Sequence, residues 1–266
     1  MRGTSASSLD AVLASVADAQ GDAEALGTEL FQVARTLDTS RALRRVLTDP
    51  STESSAKVAL VADLFGAKIG AGTSHVLATA ASSRWSSGRD IVDAIEIAGV
   101  EALSRAAETS GDLDRVESEL FEVGRVVTGN AQLRAVLSDR NVTSDAKGSL
   151  LADVFGGKVA PATIALVTQA ASGRSGSFEK AIGRYAEQVA SRRGRLVAEV
   201  RVAFELDDDQ RDALAQALRT KYDSDVQVNY IVDPALVGGV AVSIGDDVVD
   251  ATISHRLAAA RRQLAG

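Results

Sequence analysis

Residues 29–83 recur as residues 119–173, at a constant offset of 90 and without a gap, with 23 identities in 55 aligned positions. The clearest pairs are SAKVALVADLFGAK (Ser55 to Lys68) with DAKGSLLADVFGGK (Asp145 to Lys158), and Glu29-Leu30-Phe31 with Glu119-Leu120-Phe121. The register also holds upstream, at Gly21-Asp22 and Gly111-Asp112. A self-match of this length means a duplicated domain, so the fold must hold two copies of one unit and a remainder. In 266 residues that favours three domains.

Each copy reads as a string of helices. Leu9, Val12, Leu13 and Val16, and then Leu26, Leu30, Val33 and Leu37, follow the i, i+3, i+4, i+7 rule of an amphipathic helix. Leu43, Val46 and Leu47 form a short stripe behind Ser40, an expected N-cap. Ala56, Leu60, Val61, Leu64 and Phe65 form the next behind Thr52. Gly66 and its counterpart Gly156 are expected to close these helices as left-handed C-caps. Each copy continues through GTSHVLATAASS or PATIALVTQAAS into a polar turn. With 45% hydrophobic residues and only 3 prolines, short helices in quick succession predict a compact bundle.

Arg89 to Glu108 aligns both with the end of copy two and with the opening helix of copy one, and Val92, Ile95, Gly99, Ala102, Leu103 and Ala106 run through it as one stripe. The spacing predicts a long helix of about 30 Å serving both bundles. After Gly194 the period changes to two: Leu196, Ala198, Val200, Val202, Phe204 and Leu206 alternate with Glu199, Arg201 and Glu205. A helix over LDDDQRDALAQALRTKY, strands at Val226 to Val232 and Val240 to Ile244, and a last helix with Ile253, Leu257, Ala260 and Leu264 complete the pattern. The expected fold is mostly α with a small α+β C-terminal domain: a first bundle over 1–105, a second over 90–194 sharing helix 89–108, and an α+β domain over 195–266.

The chemistry-bearing residues are sparse. A formal charge of -7 and a pI near 5.0 oppose nucleic acid as a main partner. There is no cysteine, no GxxxxGK[ST] phosphate loop and no GxSxG elbow, so neither cofactor nor catalysis is expected. His75 and His255 stand alone, and no metal site is expected. Asp207-Asp208-Asp209 reads as a helix N-terminus and Asp246-Asp247 as a hairpin tip. Trp85 reads as a core residue. No apolar run approaches the roughly 18 residues of a membrane span, and MRGTSASSLD lacks the apolar middle of a signal peptide. A cytosolic chain with no direct membrane insertion is expected.

The C-terminal residues carry a resemblance. Asp233, Pro234, Leu236, Val237, Gly238, Gly239, then Gly245, Asp246, Val248, Val249, Asp250, then Arg256 and Leu257 are similar to the C-terminal signature of the delta subunit of F-type ATP synthases, the bacterial counterpart of the oligomycin-sensitivity-conferring protein. LRAVLSD followed by AKGSLLADVFGGK resembles that family's N-terminal bundle, so copy one looks like the extra bundle of its long forms.

The resemblance implies a non-catalytic peripheral-stalk connector at the cytoplasmic face of the cell membrane. Its N-terminal bundle would bind the N-terminal helices of the alpha subunits, and its C-terminal domain the b stalk. Copy two, adjacent to the C-terminal domain, is expected to keep the alpha groove between the first and fifth helices of its bundle, taken as Asp90 to Ala106 and Phe178 to Arg192. Ile91, Ile95, Ala98, Ala181, Ile182 and Tyr185 are the expected lining. Leu257, Ala260 and Leu264 are the expected stalk-binding stripe. The competing reading is a cytosolic α-helical repeat scaffold for protein–protein interaction. Against it, an offset of about 45 residues sets Leu43 against Gly88 and no motif recurs.

Overall fold

A computed structural model describes residues 1–250 apart from residues 2, 140, 175, 193–195, 223–225, 234–235, 237–238 and 245–246. The chain divides into two compact units, Met1–Tyr185 and Ala186–Gly266. The first is helical throughout its described elements: α1 (Thr4–Asp18), α2 (Ala23–Thr39), α3 (Arg41–Thr48), α4 (Ser54–Phe65), α5 (Ala71–Ser82), α6 (Gly88–Ser110), α7 (Leu113–Gly129), α8 (Ala131–Ser138), α9 (Ser144–Phe155), α10 (Pro161–Ala170) and the start of α11 (Phe178–Ser191). α1 to α5 repeat as α6 to α10.

The duplicated residues make duplicated contacts. Glu29 Oε2 accepts from Gly70 N at 2.8 Å and from the Thr73 hydroxyl. Its counterpart Glu119 Oε2 accepts from Ala160 N at 2.8 Å and Thr163 Oγ1 at 2.6 Å. Arg44 donates to the last carbonyls of α2, at Leu37 and Asp38, and Arg134 to Thr128 O of α7 at 2.8 Å. Ser40 and Asn130 cap α3 and α8 through Leu43 N and Leu133 N. These bonds satisfy helix-end groups left without an intrahelical partner.

Three local expectations change. Gly66 is right-handed, with φ −54 and ψ −33, and Gly156 has φ −55, so neither is a left-handed cap. Glycine is required for closeness instead: a Cβ at Gly66 would stand 2.5 Å from Ala62 O, and one at Gly156 2.3 Å from Ala152 O. Glu53, not Thr52, precedes α4, whereas Thr143 caps α9 through Ala146 N. The left-handed glycine cap lies at Gly111, φ 79, where Asp112 N reaches back to Ala107 O at 2.8 Å.

α6 runs unbroken for 23 residues, about 34 Å, capped by Ser87 on Arg89 N and Asp90 N. It packs on α1, α2, α3 and α5 and also on α7 and α10. Its approach to α2 depends on two glycines: a Cβ on Gly27 would meet Leu103 Cγ at 2.6 Å, and one on Gly99 would meet the Phe31 ring at 2.6 Å. Trp85 is buried, as expected, and donates to Ala80 O at 2.8 Å.

In the second unit, β1 (Leu196–Val202), α12 (Asp208–Tyr222), β2 (Val226–Val232), β3 (Val240–Ile244) and β4 (Asp247–Asp250) form a sheet of order β2-β1-β3-β4 with one helix. β1 is parallel to β2 and antiparallel to β3, which pairs antiparallel with β4. Ala198, Val200 and Val202 are buried against Leu218, with Leu214 and Tyr222 packed beside them, as the period of two predicts. β1 stops at Val202, opposite the last residue of β2, so Phe204 is 65% exposed instead of continuing the buried face. Asp207 opens α12 in a capping box, accepting from Gln210 N at 2.8 Å while Gln210 Oε1 accepts from Asp207 N at 3.1 Å. Gly239 has φ 88, a turn that favours glycine. The expected C-terminal helix lies outside the described residues.

Two substitutions separate contact from helix propensity. Gly99→Val drives a branched side chain into Phe31 and should cost about 2 kcal/mol, read as a lower midpoint in denaturant. Gly183, in α11 with nothing within 4 Å of an added Cβ, should gain about 0.5 kcal/mol on substitution by alanine.

Candidate partner-binding site

The six expected groove residues are all buried on α6 and α11, with Ile91, Ile95 and Ala98 in one core with residues of α1, α2 and α5, a core that does not include Ala181, Ile182 and Tyr185. Ile91, Ile95 and Ala98 are 0% exposed, and Ala181, Ile182 and Tyr185 at most 5%. They serve as core: Ile182 faces Gly124 of α7, where an added Cβ would lie 3.5 Å from its Cγ2, and Tyr185 Oη donates to Glu96 Oε1 of α6. The helix count shifts as well. Starting from α6, α10 is the fifth helix of copy two and α11 the sixth. Leu257, Ala260 and Leu264 lie outside the described residues.

Around the apolar face sits a polar cluster that periodicity did not reveal. The Arg174 guanidinium, its side chain 6% exposed, pairs with Asp93 at 2.7 Å and with buried Glu96, and reaches Asp38 of α2 at 4.0 Å. Asp38 belongs to copy one, Arg174 to copy two, and Asp93 and Glu96 to the helix they share. Nearby, Arg35 of α2 donates to Gln169 Oε1 of α10 at 2.9 Å; Gln169 is 1% exposed and its Nε2 has no hydrogen-bond partner. α2 therefore touches α10 as well as α6. A cavity of about 440 Å³ opens beside this contact, lined by Gln32, Arg35, Asp38, Ser144, Asp145 and Arg174.

The electrostatics follow from burial. Desolvation opposes the charge on Arg174, but Glu96 and Asp93 outweigh it and hold the guanidinium above its ordinary value. Burial, and then the Glu96 carboxylate that accepts its proton, push the Tyr185 hydroxyl well above the usual 10.0. The cluster is thus a fixed ion pair with a proton-donating tyrosine on it. Among the described residues no group of three or more His, Asp or Glu is placed to hold a metal, and His75 is exposed. Nor is any described helix long and apolar enough to cross a membrane.

The helical unit is thus a duplicated bundle held by structural ion pairs within it, and a small α+β sheet unit follows it in the chain. The family profile of the ATP synthase delta (OSCP) subunit matches residues 11–96 and 100–264, which takes in both copies and the C-terminal unit. ATP synthase subunit delta of Nocardioides sp. is 45% identical over 91% of this chain and 88% of its own. That of Nocardia farcinica is 39% identical over 99% of this chain and 98% of its own. That of Thermobifida fusca is 37% identical over the whole of both chains. A chain of the Toxoplasma gondii mitochondrial ATP synthase hexamer superposes at a TM-score of 0.43 and 17% identity, covering 63% of this chain and 95% of that one, too loosely to argue from. The chain belongs to the ATP synthase delta (OSCP) family. It is a non-catalytic peripheral-stalk subunit that associates with other subunits of an F-type ATP synthase, which sets the repeat-scaffold reading aside.

Two measurements test the cluster. Glu96→Ala leaves the buried guanidinium with fewer counter-charges and should lower stability by about 3 kcal/mol. Because the Tyr185 hydroxyl keeps its proton in the folded state past the pH at which the unfolded state releases it, its contribution is complete below pH 10.0 and lost as pH rises beyond that value. Denaturant midpoints followed above that pH should fall more steeply for the parent chain than for Tyr185→Phe.

Proposed function

We propose that the chain holds the catalytic head of the synthase to its b stalk against rotor torque, at the cytoplasmic face of the cell membrane. The helical unit takes the head, through the N-terminal helices of the alpha subunits, and the C-terminal unit takes the stalk. One observation carries the mechanical part. A single helix, α6, forms the packing surface of both copies, and Arg174 ties it to α2 across the junction. A spacer built this way transmits load without a hinge between its two bundles. We assign 1–105 as the extra bundle, 90–194 as the usual N-terminal domain and 195–266 as the stalk-binding domain, and count Leu257, Ala260 and Leu264 among the stalk contacts.

Many modest helix contacts acting together suit the task better than one strong site, because linked contacts multiply in effect. The test is isolation from native membranes: the tagged chain should bring down alpha and b in fixed proportion, and recovery without either subunit rejects that half of the reading. In a titration with a b-stalk peptide, Leu257→Asp should weaken binding about tenfold while leaving the melting temperature within a few degrees. Unchanged affinity in that folded variant removes Leu257 from the stalk contacts.

A further inference from the structure

The third helix of copy one carries a charge pattern that its repeat lacks. α3 buries Leu47 and turns Arg41, Ala42, Arg45 and Val46 to solvent. α6 begins against this helix: a Cβ on Gly88 would stand 3.3 Å from Arg44 Cβ and 3.9 Å from Thr48 Oγ1, and the next residue, Arg89, is exposed. At the 90-residue offset Arg41, Arg45 and Arg89 become Ala131, Ala135 and Glu179. Val46 becomes Val136, also exposed, so the copies differ here in charge and agree in the apolar spot.

The chain itself makes little use of these arginines. Among the described residues none of the three forms an ion pair. The acids around them are taken: Asp38 and Asp93 by Arg174, Asp90 by the Ser5 hydroxyl at 2.6 Å, and Asp49 by the Ser51 hydroxyl at 2.6 Å. Arg45 and Lys57 only add to the Ser51 hydrogen bonds that hold the Asp49 carboxyl below its ordinary value. Nor do the arginines suit the helices that carry them. Arg41 and Arg45 are like charges one turn apart, and Arg41 and Arg89 lie in first turns, where the helix dipole favours an acid such as the Glu179 of copy two.

We propose that the exposed face of α3, with Arg89 beside it, is a docking surface for an acidic amphipathic helix of another synthase subunit. Charge and pitch choose this occupant. Arg41 and Arg45, like Ala42 and Val46, stand one turn or about 6 Å apart, so the face sets a cationic stripe next to an apolar one. A helix with acidic and apolar residues at the same spacing matches both. Three arginines fall short of the roughly six to ten phosphate contacts of a nucleic-acid site, and a net charge of -7 opposes such a partner. A membrane surface calls for about four to eight basic residues together, more than this face offers. The contact would belong to the extra bundle alone. It depends only on membership in the synthase and holds whichever unit takes the head or the stalk.

The chain has no cysteine, so Ala42→Cys places a single thiol at the centre of the face. The full chain, labelled there with a benzophenone, is rebound to synthase depleted of this subunit and irradiated, and the attached segment is read by mass spectrometry. The expected product joins position 42 to a segment of net negative charge with Asp or Glu one turn apart. Arg41→Glu combined with Arg45→Glu, its fold checked by circular dichroism, should lower the yield per bound chain about tenfold, because like charges then face each other. Ala131→Glu combined with Ala135→Glu, on α8 of copy two, should leave the yield unchanged. Should the label itself block rebinding, the unlabelled arginine double variant decides, with rebinding expected to weaken about tenfold. A cross-link to a neutral or basic segment, to lipid or to nucleic acid, or no cross-link in a rebound chain, overturns the assignment. So does parent-like behaviour of the folded arginine double variant, or an equal loss in the alanine one.

Discussion

The burial of α6 is the constraint on which the helical unit depends. A helix that packs on both sides can expose no complete polar face, and α6 buries Ile91, Val92, Ala94, Ile95, Ala98, Gly99, Val100, Ala102, Leu103 and Ala107 around much of its circumference. Any polar group placed there must find a partner inside. Ser104 donates to Val100 O at 2.8 Å, and Glu96 takes Arg174 and Tyr185. Each partner comes from copy two or from α6 itself. The polar requirements of the shared helix thus join the bundles that its apolar surface brings together.

The copies keep one frame and differ in how they close it. Glu29 and Glu119 bind the start of α5 and α10 in the same way, and the arginine caps on α2 and α7 repeat. In copy one the second helix and the shared helix cross at Gly27 and Gly99, whose counterparts are Glu117 and Val189. No such glycine pair is available to copy two. At the loop before the last helix, copy one has buried Trp85, bonded to Ala80 O, while copy two has Arg174 reaching into the ion cluster. Arg174 corresponds in the repeat to exposed Arg84, the neighbour of Trp85, so one arginine position faces solvent in copy one and reaches towards the neighbouring bundle in copy two.

Buried charge of this kind gives direction more than net stability. Replacing a satisfied buried ion pair by well-packed apolar groups is often neutral, while removing one partner is costly, so Arg174, Asp93 and Glu96 favour one docking of the copies over its alternatives. A stalk subunit benefits from a single geometry. A connector that settled in several would yield under torque before passing it on.

The sequence by itself determined the duplication, the helix stripes, the strands of the second unit and the family, because each rests on local periodicity or on residues matched one by one. Ala198, Val200 and Val202 needed only alternation, and Trp85 only its size, to be read as core. Tertiary structure decided the rest. Ile91, Ile95, Ala98, Ala181, Ile182 and Tyr185 have the spacing of an apolar face, but spacing does not say whether that face meets a partner or the chain's own core; here it is core. Gly66 and Gly156 stand where a helix ends, yet only coordinates show that a nearby carbonyl, not a positive φ, excludes a side chain. The cluster of Asp38, Asp93, Glu96, Arg174 and Tyr185 spans far-separated positions with no common period. Bringing like and unlike charges from two repeats to one buried point is a property of packing in three dimensions, which no window along the chain contains.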